Sequence, residues 1–342
     1  MGIYSYYILY GGRLMNDKNV PQIGANIIDL SDDKDKGILY DKVRKRAFRL
    51  GPKEYQVYLL LSNGDTLENV LKKDIFSYSE LTSLMDLFSK MNLFGDYKKS
   101  KVNILHYKVG LFYPSNRLQK SKLLKILLKM SNILLIFGVV ACLFTIHPRS
   151  FFLELRQELS FTMAFWSVVF MSLSLIMHEL FHAMEAIKQG AKVAEFGIEI
   201  YCGFPVAYTS ICDMNSVTAK GKINIAMAGI KSNLITMLWC IVFFNVVSGW
   251  GKVIVLEIFI ANVFPIIGNI DIFCKFDFYY VVEAIVNEKN LMEKAKQSVV
   301  NGIKGKMKEG DKEYLIYGIG VYLNEWLILF GTILYLFQKV IR

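Results

Sequence analysis

The chain has 342 residues, of which 54% are hydrophobic and 20% are charged, and its formal net charge is +10. Soluble domains average about 45–50% apolar residues, and this composition excludes a disordered chain and a collagen-like chain. Five cysteines without a CxxC pair argue against a disulfide framework. The apolar residues come in long blocks, so a purely soluble protein is not expected.

Residues 1–115 have the composition of a small soluble α+β domain. Short aromatic and aliphatic runs predict strands at 4–10 and around 102–112. Helical spacing begins after Pro52, Thr66 stands at an N-cap position, and a third helix is expected to begin near Ser79. We therefore expect a unit of strands and three helices.

Residues 116–342 contain five apolar segments, each close to the roughly 20 residues that a membrane-spanning helix needs. The expected spans lie near 126–146, 160–184, 231–250, 253–273 and 314–338. Lys231 and Glu257 are expected near helix ends, where they can reach the interface and need no special role. Glu325 falls near the middle of the last span, where it indicates a polar contact, a gate or a break in the helix.

The positions of Lys and Arg predict the orientation of these helices. Lys and Arg are abundant before the first span, at 186–222 and at 275–313, and sparse in the two other loops. Because cytoplasmic loops carry the excess of Lys and Arg, the N-terminus is expected in the cytoplasm and the C-terminus outside. The fold class is then an α-helical polytopic protein of the cell membrane with a cytoplasmic N-terminal domain. The bilayer is an expected partner and nucleic acid is not.

Residues 178–182 read His-Glu-Leu-Phe-His, an HExxH motif. Two histidines one helical turn apart can bind one Zn²⁺ at about 2.0–2.1 Å each. Glu179 points elsewhere and is placed to accept a proton from a zinc-activated water. We therefore predict His178 and His182 as zinc ligands and Glu179 as the catalytic base. The alternative is a pair of structural histidines packed against a neighbouring helix.

The third ligand stays open at this point. Catalytic zinc needs three protein ligands and an open fourth position, and no further histidine lies nearby in the sequence. Asp271 and Asp277 both lie at the cytoplasmic end of the fourth span. Their positions in the sequence do not choose between them.

The membrane half resembles the site-2 protease family of intramembrane zinc metalloproteases, and most closely the branch of peptide zinc metalloproteases found with bacterial ribosomally made peptides. In that family HExxH lies on one membrane helix and a second motif, N-x-x-P-x-x-x-x-D-G, supplies the third ligand from another. The interval from Asn269 to Asp277 keeps the spacing of the second motif. The resemblance implies that Asp277 is the third ligand of Zn²⁺.

Two positions depart from the second motif, because Ile272 replaces its proline and Phe278 replaces its glycine. A rival frame from Asn262 keeps the proline as Pro265 but reaches Asp271 one residue late. The family motif A-G-P-x-x-N also has a counterpart, residues 228–233, again without its proline.

Two further segments carry the resemblance. Residues 196–214 are similar to the membrane-associated strand region of the family, which can pair with an extended substrate. Residues 47–52, 63–67 and 91–94 resemble the small winged-helix leader-binding domain of peptide-modifying enzymes, which implies that residues 1–115 bind a peptide.

The expected function is that of an intramembrane zinc metalloendopeptidase. It would cleave a peptide or a membrane-anchored precursor during bacterial peptide maturation or export, with peptide-modifying or ABC-type export proteins as candidate partners. The altered proline and glycine positions keep open a non-catalytic component of peptide export or self-immunity, built on a degenerate protease fold. A third hypothesis is a regulator that cleaves a membrane-bound transcription factor or a signal-peptide remnant by the same chemistry.

Overall fold

The structure is a computed structural model that describes residues 8–10, 13–15, 22–32, 37–73, 75–94, 106–114, 119–145, 151, 161–201, 204–307 and 309–341. The chain forms two compact units. The first comprises Met1–Lys122 with Gly190–Ser216, and the second comprises Leu123–Gln189 with Val217–Arg342. Residues 190–216 thus cluster with the N-terminal residues, whereas the sequence division had placed them in a second domain over 116–342.

Within the described residues, the first unit contains three antiparallel sheets and three helices. Its sheets have the strand orders β1-β2, β3-β4-β5 and β6-β7-β8. The strands are β1 (Ile8–Tyr10), β2 (Arg13–Met15), β3 (Ile27–Asp29), β4 (Gly37–Asp41), β5 (Arg46–Leu50), β6 (His106–Phe112), β7 (Lys192–Tyr201) and β8 (Phe204–Cys212). The helices are α1 (Pro52–Ser62), α2 (Leu67–Lys72) and α3 (Tyr78–Lys90).

The three helices begin where the sequence signals place them. Pro52 is the first residue of α1, and the Thr66 side chain accepts a hydrogen bond from the amide of Asn69 at the start of α2. Ser77 caps α3 in a capping box with Glu80, close to the expected start near Ser79. Strands β3, β4 and β5 are an addition that the sequence analysis did not predict.

The expected strand pair at 102–112 differs from what the structure shows. Its described part forms the single strand β6, which pairs with β7, so that Tyr107 lies opposite Ile200. Residues 101–105 lie outside the described part of the chain. Because the partner of β6 is far along the chain, local sequence patterns could not identify it.

Strand β7 and the sheet β3-β4-β5 share one core and several ion pairs. Leu30, Ile38 and Tyr40 form a buried cluster with Ala194 and Cys212. The carboxylate of Glu195 is fully buried and lies 2.7 Å from Nζ of Lys45. Further ion pairs join Lys192 to Asp32 and Arg49 to Asp213. These contacts make the hairpin of β7 and β8 an integral part of the first unit.

The second unit is helical. Its helices are α4 (Lys122–Thr145), α5 (Phe161–Lys188), α6 (Ala219–Phe244), α7 (Trp250–Asn269), α8 (Asp277–Val286), α9 (Leu291–Ile303) and α10 (Asp311–Ile341). Five segments of the described chain are long and apolar enough to cross a membrane, as predicted. They are Lys122–Phe144, Trp166–Lys188, Ala219–Phe244, Trp250–Asn269 and Asp311–Gly331.

Two of the three charged residues singled out in the spans lie in settings that differ from the expected ones, whereas Glu325 makes the polar contact that was one of its three alternatives, an ion pair with Lys296. Lys231 lies inside α6 rather than near its end, because this helix begins at Ala219, and its ammonium donates to Ser131. Glu257 is buried inside α7 and accepts a hydrogen bond from Ser167. Glu325 does not mark a break, because α10 is one continuous helix.

Candidate metal centre

Two helices of the second unit supply the predicted metal ligands. His178 and His182 lie one turn apart on α5, so their imidazoles project from the same face. Asp277 is the first residue of α8. Its backbone amide lies 3.3 Å from Oδ1 of Asn269, the last residue of α7, which links the two helices across the intervening turn.

Three side-chain atoms converge at this point. Oδ2 of Asp277 lies 2.9 Å from Nε2 of His178 and 3.2 Å from Nε2 of His182. The two Nε2 atoms are 3.0 Å apart. Both histidines are buried, and no hydrogen bond within the described residues satisfies Oδ2 of Asp277. The site therefore places three potential metal-binding atoms in a small triangle.

The partner of His182 assigns its tautomer. Nδ1 of His182 lies 2.7 Å from the backbone oxygen of Ile225, which can only accept a hydrogen bond. Nδ1 must therefore carry a proton. In the neutral imidazole this leaves a lone pair on Nε2, the atom that faces Asp277.

A buried amide assigns the tautomer of His178 in the same way. The Nδ2 group of Asn233 faces Oγ of Ser174 and the backbone oxygen of Asn262, each at 3.4 Å. Oδ1 of Asn233 is thereby turned toward Nδ1 of His178, 2.9 Å away. Nδ1 donates to it, so Nε2 of His178 also presents a lone pair.

With both imidazoles neutral, the triangle presents two nitrogen lone pairs and a carboxylate oxygen. In that state the three electron-rich atoms at 2.9–3.2 Å repel one another, and a cation among them, either a metal ion or a proton, relieves the repulsion. Bond lengths of about 2.0–2.2 Å in a tetrahedral zinc site separate the ligand atoms by roughly 3.3 Å. The observed separations between the three ligand atoms would need to increase only slightly to reach this value.

Gly229 of α6 keeps the space beside the triangle open. A Cβ atom at this position would lie 2.3 Å from Nε2 of His178 and 2.5 Å from Nε2 of His182. Both distances are far shorter than a van der Waals contact. Only a glycine leaves room here for an ion and for the open coordination position of a catalytic metal.

The charge state of Asp277 suits a metal ligand. Burial alone would raise the pKa of its carboxyl group, but the adjacent imidazoles of His182 and His178 lower the pKa to about 2. The carboxylate is therefore ionised at neutral pH. One carboxylate and two neutral imidazoles form a donor set that suits Zn²⁺.

The structure brings together His178, His182 and Asp277 as one group able to hold a metal ion. Asp271, the alternative third ligand, does not join them. Its Oδ1 accepts the amide of Phe273 at 2.8 Å and its Oδ2 accepts Nδ2 of Asn324 at 2.7 Å. Both oxygens of Asp271 are thus engaged elsewhere.

Glu179, the predicted base, lies on α5 between the two histidines and is half-buried. Its carboxylate interacts electrostatically with His182. Glu179 is therefore a second carboxylate within electrostatic range of the candidate metal-binding group, in addition to Asp277.

Several site residues were not assigned a role from the sequence. Gly229 and Asn233 lie in the segment that resembles A-G-P-x-x-N, but their contacts to the histidines emerge only in the fold. Ser174 lies one turn before His178, and Asn262 lies in an apolar helix. Polar residues on the buried face of such helices are a signal that could have identified both.

Comparisons with known proteins give no relative on which to base an identification. No protein-family model, curated protein or solved structure matches the chain significantly.

Proposed function

We propose that the protein is an intramembrane zinc metalloendopeptidase. The observation that supports this most directly is the convergence of Nε2 of His178, Nε2 of His182 and Oδ2 of Asp277 to within 2.9–3.2 Å of one another. His178, His182 and Asp277 would hold the Zn²⁺. Zinc, when bound, supplies Lewis-acid chemistry that polarises a carbonyl and acidifies a water.

Glu179 is the general base of this proposal. Its carboxylate takes a proton from the attacking water and then transfers that proton to the leaving amine of the cleaved peptide bond. Asn233 and the backbone oxygen of Ile225 hold the imidazoles in the tautomers that bind metal. Gly229 leaves space for the scissile carbonyl beside the ligands.

The membrane setting is part of the proposal. Five apolar helices are consistent with a membrane protein, and the distribution of Lys and Arg favours a multi-pass arrangement with the N-terminus in the cytoplasm and the C-terminus outside. His178 lies about 15 Å along α5 from its last residue, Lys188, at 1.5 Å per residue. The metal would then lie within the cytoplasmic half of the bilayer.

The substrate class follows from this depth. A peptide or a membrane-anchored precursor could reach a site within the bilayer as an extended chain, because only an extended peptide bond exposes its carbonyl to attack. The resemblance of the first unit to leader-binding domains suggests that it presents this substrate. Bacterial peptide maturation or export, with peptide-modifying or ABC-type export proteins, is the setting that the resemblance implies.

The experiment is a comparison of Glu179→Gln with the parent protein and with Glu185→Gln, a matched change on the same helix. The assay measures cleavage of a library of quenched fluorescent peptides by detergent-solubilised protein, together with zinc content. We expect Glu179→Gln to retain zinc and lose at least about 100-fold in rate, the usual contribution of a general base. Cleavage by Glu179→Gln at the parent rate would contradict the mechanism.

A further inference from the structure

The turn between α7 and α8 carries Asp277 to the histidines, and it is held from outside the site. This turn, residues 270–276, separates two helices that supply the motif residues Asn269 and Asp277. A third ligand at the start of a short helix needs its backbone fixed, because a displacement of about 1 Å is enough to disrupt a metal site. Lys275 of the turn pairs with Glu293 of α9, and a larger set of contacts comes from α10.

Helix α10 contacts three consecutive residues of the turn from one face. The Tyr317 hydroxyl donates to the backbone oxygen of Ile272. The rings of Tyr317 and Phe273 lie 5.5 Å apart, and a Cβ atom at Gly320 would come within 2.4 Å of the Phe273 ring. These contacts hold the turn against α10.

Asn324 completes this face and contacts the turn through Asp271. Its Nδ2 donates to Oδ2 of Asp271 at 2.7 Å, while Oδ1 of Asp271 accepts the amide of Phe273 at 2.8 Å. The carboxylate therefore both closes the turn and ties it to α10. Tyr317 and Asn324 are two helical turns apart, so the two attachments lie along one stripe of α10.

We propose that Asn324 is a positioning residue for the metal centre, acting through Asp271 to hold Asp277 against His178 and His182. The inference depends on the proposed function, because it assumes that these three residues bind a metal. Asp271, the rival ligand in the sequence, thereby has a different task. It anchors the turn that presents the true ligand.

The test exchanges the two partners. Asn324→Asp places a second carboxylate against Asp271 and should separate the turn from α10. Asp271→Asn alone leaves two side-chain amides, which can still form a hydrogen bond if the amide of Asn324 flips. The double variant Asp271→Asn/Asn324→Asp restores one donor and one acceptor, and the amide oxygen introduced at position 271 can still accept the amide of Phe273.

The measurement is the affinity for Zn²⁺, obtained by competition with a chelator on the full chain in detergent, and the visible absorption of the Co²⁺ form. We expect Asn324→Asp to weaken Zn²⁺ binding by about 10–100-fold, as loss of ligand support does elsewhere. Its Co²⁺ spectrum should change in the direction of the Asp277→Ala spectrum. The exchanged pair should recover to within a few-fold of the parent.

Glu325→Gln is the matched control, since Glu325 is adjacent on α10 and pairs with Lys296 rather than with the turn. If Asn324→Asp does not accumulate as folded protein, Asn324→Ala gives the same measurement without the added charge. Parent-like Zn²⁺ affinity in the Asn324 variant, or no recovery in the folded double variant, would overturn the proposal. Absence of metal binding in the parent would instead reject the proposed function.

Discussion

Asn233 and His178 form a buried pair in which the amide oxygen lies 2.9 Å from Nδ1 of the imidazole. Asn233 is itself held by contacts to Ser174 and Asn262. The second contact of a ligating histidine fixes both its tautomer and its ring orientation. Contacts from α5, α6 and α7 therefore support the orientation of His178 in the candidate metal centre.

Asn233→Ala should lower Zn²⁺ affinity by about 10–100-fold, because Nδ1 of His178 loses its acceptor and the imidazole can rotate or change tautomer. Chelator competition on purified protein measures this loss. Asn224→Ala, an exposed change on the same helix, should leave the affinity unchanged. Equal affinities in the parent and Asn233→Ala would show that this amide does not orient the ligand.

Gly229→Ala should abolish metal binding while the protein remains folded. The new methyl group would occupy the space 2.3–2.5 Å from the two Nε2 atoms, where no carbon can sit without displacing an imidazole. Gly268→Ala is the matched control, since a Cβ at that helical position meets no atom within 4 Å. Full zinc content in Gly229→Ala would be incompatible with a metal bound at this triangle.

Metal binding should weaken as the pH falls toward 4, because protons compete with the metal for the imidazole nitrogens. With two imidazoles protonating, the apparent affinity can fall by about 100-fold per pH unit. Asp277 does not contribute over this range: its pKa is lowered to about 2. It therefore stays ionised until the pH approaches that value. A binding curve that stays flat to pH 4 would exclude the histidines as ligands.

Lys45→Met should destabilise the first unit by up to about 3 kcal/mol, because it removes the cation paired with the buried carboxylate of Glu195, which then keeps the hydrogen bond from Tyr208. Glu195 is fully buried, whereas the Lys45 side chain is 20% exposed, so water can partly replace the ammonium. Arg49→Ala removes a more exposed pair and should cost about 0–1 kcal/mol. Thermal unfolding and limited proteolysis of the full chain would measure the stability of both variants. Similar losses of stability in Lys45→Met and Arg49→Ala would contradict a larger contribution from the buried pair.

The sequence predicted the half of the metal centre that depends on local spacing. His178 and His182 belong to one helix, so the spacing of four residues places them together. Asp277 follows the non-helical turn 270–276, so helical periodicity in the sequence cannot predict where its carboxylate lies relative to the histidines. The resemblance favoured Asp277 over Asp271, and the fold places Asp277 beside the histidines.

The helix count was also predictable, but the helix ends were not. The third span was expected near 231 because the uncharged run begins just after Lys231, yet the helix α6 begins at Ala219 and carries Lys220 and Lys222 in its first turn. Lysines at a helix end can extend toward water while the backbone continues as helix. The association of β6 with β7 was not predictable, since it joins residues on either side of two long helices.

Zinc binding by His178, His182 and Asp277 is best tested by the zinc content of the detergent-purified parent, His178→Ala, Asp277→Ala and Glu185→Gln. We expect about one zinc per chain in the parent and in Glu185→Gln, and almost none in the other two, as for a three-residue catalytic site. A parent that binds no zinc even after reconstitution would rule out a zinc site at these residues. That result would favour a non-catalytic role in peptide export or self-immunity.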